Sequence, residues 1–102
     1  MGMGNLAKMA QQMQADMARV ETELQALRVE GTAGGGVVKA VVTGKRDLVS
    51  VTIDPSAVDP EDVEMLQDLV LAAVTDALQG ARKAEEERLA RVTGGFRIPG
   101  MG

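Results

Sequence analysis

The chain has 102 residues, a formal net charge of −4 and 45% hydrophobic residues, which fits one domain and excludes wholesale disorder. It holds no Cys and no His, which excludes disulfides, zinc–thiolate sites, thiol nucleophiles and a Ser-His-Asp arrangement, and removes the usual general base. Phe96 is the one aromatic, so burial rests on Val, Leu, Ile, Ala and seven Met; a lone domain built this way is marginal, and self-association is the natural remedy.

No apolar run approaches the ~20 residues of a membrane span. The start shows no charged region leading into a continuous apolar stretch, so no signal peptide is expected and the expected location is the cytoplasm.

The first predicted element is a helix over Asn5–Leu27 with Asn5 as N-cap. Leu6, Met13, Val20 and Leu27 recur every seventh position, and Ala10, Met17 and Leu24 follow the first three by four. That period of about 3.5 is the repeat of a coiled-coil seam, and Met9 widens it. Lys8, Gln11, Gln12, Asp16, Arg19, Glu23 and Gln25 occupy the other face. At 1.5 Å per residue the helix would run roughly 35 Å, so part of it is expected to project or to pack on a partner.

Three strands follow. Arg28–Thr32 is short, Ala33–Gly36 turns the chain, and Val37–Thr43 and Leu48–Ile53 are β-branched strands joined at Gly44–Asp47. In the third, Val49, Val51 and Ile53 are expected on one face, and Leu48, Ser50 and Thr52 on the other. In the second, Val38, Ala40 and Val42 match the buried face and Lys39 points out. The pattern predicts an antiparallel meander with one face under helix, and a dimer contact would protect one of its edges.

The stretch Asp54–Leu78 organises the rest. Asp59 as cap, Pro60 at the first helical position, and Glu61 and Asp62 at the positive end of the dipole predict a long helix from Pro60. Leu66, Leu69, Val70, Ala73, Ala77 and Ala81 make one apolar stripe, and Leu71, Val74 and Leu78 extend it so far round the helix that it must be buried on more than one side, by the sheet and by a second copy. Beyond Gln79 it turns polar, with Ala81, Ala84, Leu89 and Val92 as sparse anchors. Gly80 marks a bend or a close helix approach, Glu87 and Arg91 have the spacing of a helical ion pair, and Gly94–Gly95 stops the helix. Residues 1–95 are expected to form one α+β domain, and 96–102 a flexible tail.

No catalytic constellation is visible. Gly31–Gly36 lacks the Lys-Ser/Thr ending of a nucleotide loop and lies between strands, so it is read as a hairpin turn. Asp54, Asp59, Glu61, Asp62 and Glu64 lack the spacing of a calcium loop and are read as turn and helix-start residues, with no metal and no cofactor expected. Charge is segregated: seven acids and no base lie in Asp54–Asp76, while bases gather in the first helix, at Lys45 and Arg46, and after Gly80. Bases on projecting helices suit contacts to a nucleic-acid backbone.

The stretches GNLAKMAQQMQADM (Gly4–Met17), GTAGGGVVK (Gly31–Lys39) and IDPSAVDPEDVEMLQDLVLAAVTDA (Ile53–Ala77), in the order helix, meander, long helix, resemble the YbaB/EbfC family of bacterial nucleoid-associated proteins. The resemblance implies an α+β homodimer shaped like tweezers, with helical arms projecting from a joined sheet core. It also implies binding of double-stranded DNA with modest sequence preference, and a role in nucleoid organisation or gene regulation. Lys8 matches a basic position in the family's first helix. The family often carries bases directly after the Asp-Ala pair of the long helix, whereas here they come later, at Arg82 and Lys83.

Residues and resemblance together predict a non-enzymatic, cytoplasmic DNA-binding homodimer with no membrane partner and no small-molecule substrate. The candidate phosphate contacts are Lys8, Arg19, Arg82, Lys83, Arg88 and Arg91. Leu66, Leu69, Val70, Ala73, Val74 and Ala77 are the candidates for core and dimer seam. The rival reading is a protein–protein adaptor that grips its partner through Met9, Met13 and Met17.

Overall fold

The computed structural model describes residues 3–93. Helix α1 (Met3–Ala26) leads into strands β1 (Arg28–Ala33), β2 (Val38–Thr43) and β3 (Leu48–Ile53), and helix α2 (Val63–Thr93) closes the order, with single 3₁₀ turns at Gly34–Gly36 and Pro55–Ala57. The strands form an antiparallel sheet in the order β1-β2-β3, so the chain adopts the α+β meander that its pattern predicts. The expected stop at Gly94–Gly95, the boundary at 95 and the tail 96–102 lie outside the described residues.

Both helix starts differ from expectation. α1 begins at Met3, which places Asn5 inside its first turn and not at the cap. α2 begins at Val63, three residues after Pro60. Asp59 is engaged in the preceding turn: its Oδ1 accepts the Glu61 N–H at 2.9 Å and its carbonyl the Asp62 N–H at 2.9 Å. Asp62 then serves as the cap, accepting the Met65 N–H at 3.2 Å, the bond that quiets an otherwise unpaired amide of the first turn. Asp54 works in the same way one turn earlier. It accepts the Ser56 N–H at 2.9 Å, and this bond holds its carboxyl below the ordinary carboxylate value.

The core is small-residue packing. Ala73, Ala77 and Ala81 of α2 are fully buried against Val38, Ala40 and Val42 of the sheet. Their size lets the helix approach until it touches the β1 backbone. A Cβ on Gly31 would stand 2.2 Å from the Ala77 nitrogen and 2.3 Å from the Ala73 oxygen. Gly80 serves the same approach one turn further on, where a Cβ would meet Val29 Cγ1 at 2.8 Å. The helix runs unbroken through Gly80, so the residue marks a close approach to a strand and not a bend.

This placement leaves β3 uncovered. A helix about 10 Å across spans two strands spaced about 4.8 Å apart, not three. α2 is drawn over β1 and β2 by Gly31, and all six residues of β3 stay exposed. The expectation of a helix-covered face at Val49, Val51 and Ile53 fails for that reason. A bulge changes the register as well. Val41 stands opposite Ser50 and Val42 opposite Leu48, so Val49 is the extra residue and Leu48 shares the side of Val42, away from Ser50 and Thr52. The two edges of the sheet are treated differently. At β1 the Thr32 N–H donates to Asp76 Oδ2 of α2 at 3.0 Å, whereas β3 is open.

α1 buries side chains in its second half, while Met9 and Met13 of its first half only line a shallow pocket with Val92 of α2. Val20 and Leu24 are buried, and the Gly44 N–H donates to the Leu24 carbonyl at 2.9 Å. Of the seam, the early members are exposed: Leu6 is 65% and Met9, which widens it, 48% exposed. The result is an elongated molecule, 71 × 29 × 16 Å, with the sheet toward one end and an arm made of α1 and the second half of α2.

Candidate nucleic-acid interface

The six candidate bases all lie on that arm, but they do not form one patch. At 3.6 residues per turn, Arg82 and Arg91, nine positions apart, project from opposite flanks of α2, and Lys83 points between them. Arg88 and Arg91 share a flank. They line a groove between the two helices with Arg19 of α1. Lys8 stands exposed near the start of α1.

Two candidates are already engaged. Arg19 Nη2 pairs with Asp16 Oδ1 at 2.7 Å, and Arg88 Nη1 with Glu23 Oε2 at 2.8 Å. Among the described residues Lys8, Arg82, Lys83 and Arg91 make no ion pair, and the helical spacing of Glu87 and Arg91 is not realised as one. The bases at the hairpin tip are struts. Lys45 reaches Glu21 of α1 at 2.7 Å and Arg46 reaches Glu85 of α2 at 3.1 Å, so the tip is clasped between the helices. Arg46 sits at φ +71°, a left-handed conformation imposed by the tight turn. Counted over Met3–Ala26 and Ala81–Thr93, the arm carries six bases and six acids. The acids of Asp54–Asp76 lie on the other part of the molecule, so the body repels a polyanion that the arm tolerates.

A second surface is apolar. Ile53 of β3 with Val63, Leu66, Val70, Leu71 and Val74 of α2 lines an open trough of about 470 Å³. Leu71 is 67% exposed. The residues marked for core and seam therefore split. Ala73 and Ala77 face the chain's own sheet and Leu69 packs near Gly34, while Leu66, Val70 and Val74 border the trough.

Residues 1–96 match the sequence profile of the YbaB/EbfC DNA-binding family. The chain belongs to that family. It is 53% identical to a nucleoid-associated protein of Moorella thermoacetica over 99% of this chain and 100% of that one. A nucleoid-associated protein of Caldanaerobacter subterraneus is 52% identical over 95% of this chain and 87% of the other. The fold is similar to the crystal structure of an uncharacterized Helicobacter pylori protein, with a TM-score of 0.69 at 25% identity, covering 94% of this chain and 97% of that one.

In this YbaB/EbfC chain the three stretches that carried the resemblance occupy distinct places: the free half of α1, the turn between β1 and β2, and the first half of α2. Reasoning from sequence placed Leu71 on the apolar circumference of α2 but missed that Ile53 and Val63 join it, because they meet only when β3 and α2 are set side by side. It also missed the strut role of Lys45 and Arg46, whose partners are 24 and 39 positions away. Among the described residues, no helix is long and apolar enough to cross a membrane.

Proposed function

We propose that the chain is a DNA-binding protein of the cytoplasmic nucleoid that acts as a homodimer and grips the duplex through phosphate contacts from its arms. The observation that carries the reading is the segregation of charge: Lys8, Arg82, Lys83 and Arg91, which make no ion pair among the described residues, stand on the arm, and the acids Asp54–Asp76 on the body. A duplex is then held at the arms and kept off the sheet. Contacts of this kind position a protein without reading base edges, which accords with modest sequence preference and a role in packaging or regulating the chromosome. No catalytic step is part of this reading.

The homodimer is argued from the trough and the open edge of β3. A second copy presents the same apolar surface and the same unpaired strand, so a two-fold axis along this seam satisfies both protomers at once.

The test is a gel mobility-shift titration at several salt concentrations. With a few phosphates contacted per protomer, the slope of log affinity against log salt is expected between about −3 and −6. Reversing charge at Arg82 and Lys83 to Glu is expected to weaken binding with the circular dichroism spectrum unchanged. Parent-like shifts by that variant would remove this surface from the interface.

The adaptor reading keeps one observation in its favour, the exposure of Met3, Leu6 and Met9 on the free half of α1. A protein partner retained through nuclease treatment, with no shift of purified DNA, would put it first.

A further inference from the structure

The groove between α1 and α2, about 190 Å³ in volume, gathers three guanidinium groups and two carboxylates. Arg88 is tied to Glu23 at 2.8 Å, Arg19 to Asp16 at 2.7 Å, and Arg91 makes no ion pair among the described residues. A groove that holds three arginines is suited to a tetrahedral anion, because each planar fork presents paired donors to two oxygens. In the free protein Asp16 takes one such donor of Arg19 and Glu23 one of Arg88.

We infer that this groove seats one backbone phosphate of the DNA, and that Glu23 and Asp16 are built-in competitors for Arg88 and Arg19. The inference rests on the DNA-binding reading. Arg91 makes the first contact, since no carboxylate among the described residues claims its guanidinium. Arg88 and Arg19 then exchange a carboxylate for the phosphodiester.

The exchange is physically easy. The Arg88 side chain is 29% exposed and that of Glu23 43%, so the displaced carboxylate passes into water. Ion pairs this wet contribute little. The Arg19–Asp16 pair lies within one helix, three residues apart, so it does not itself tie α1 to α2. The pairs also explain how an arm of balanced charge serves a DNA-binding protein. In the free state its arginines are partly neutralised, and a phosphate in register with the groove recruits them.

The decisive variant is Glu23→Gln, which keeps the shape of the side chain and removes its charge. A competitor and a strut predict opposite signs. If Glu23 competes, the variant binds duplex DNA about two- to ten-fold more tightly. If Glu23 only braces α1 against α2, the variant binds no better or worse. Asp16→Asn is expected to act in the same direction and breaks no ion pair between the helices, so it decides the matter should Glu23→Gln fold poorly. Arg91→Ala is expected to weaken binding. Folded variants at Glu23 and Asp16 with unchanged or reduced affinity, beside a parent that binds, would overturn the inference and leave the DNA reading standing. A parent that shifts no DNA at low salt would overturn both.

Discussion

Gly31 decides where α2 lies. Its missing side chain lets the Ala73–Ala77 turn rest on the β1 backbone, and a methyl group there has only main-chain atoms to push against. Overpacking usually costs 1–3 kcal/mol, and a main-chain collision belongs at the upper end, so Gly31→Ala is expected to destabilise by about 3 kcal/mol and to lower the melting temperature by roughly 10–20 °C. Gly80 is a useful contrast. The atom a methyl would meet is the tip of Val29, which can turn aside, and Ala gains up to about 1 kcal/mol over Gly in a helix interior. Gly80→Ala is therefore expected to leave the melting temperature within a few degrees of the parent. A loss at Gly80 as large as that at Gly31 would show that the two approaches are equally tight. Neither distinction is visible in the chain itself, where Gly31 reads as the start of a glycine-rich turn and Gly80 as a helix blemish.

At the scale of elements, type and order were legible, and ends were less so. Strand periodicity and β-branching mark β2 and β3 correctly because those signals are local. The start of α2 was misplaced because two aspartates compete for one role, and the turn at Asp59 uses up its carboxylate before the helix begins. Asp62→Ala is expected to lower stability by about 1 kcal/mol, read as a shift in urea midpoint at constant slope. A greater loss for Asp59→Ala would return the start of the helix to Pro60. The heptad of α1 was read correctly as a pattern, but a pattern does not say how much of a seam is filled. Val20 and Leu24 find partners, whereas Leu6 projects beyond them.

At the scale of the molecule, an exposed apolar trough and an open strand lie on the same side, and the proposed dimer joins them. Light scattering is expected to give a mass of two chains at micromolar concentration, and the melting temperature is expected to rise with protein concentration. Leu71→Asp places a charge on the rim of the trough without entering the protomer's own core, and is expected to yield a folded monomer with reduced DNA affinity. A variant that stays dimeric would move the seam elsewhere. The candidate interface was legible in part. Lys8, Arg82, Lys83 and Arg91 fall on exposed arm surface as their polar surroundings suggest, and Asp16 stands at helical spacing from Arg19, but the carboxylate that claims Arg88 became visible only when the two helices were laid together.

The chain by itself determined its elements, its class, its family and the segregation of acids from bases, because periodicity, turn chemistry and charge order act over a few residues at a time. Tertiary structure alone decided that α2 sits over β1 and β2, and that β3 and the trough are left open. Each of these depends on one long-range approach, backbone against backbone at Gly31, whose consequence is the lateral position of a helix on a sheet.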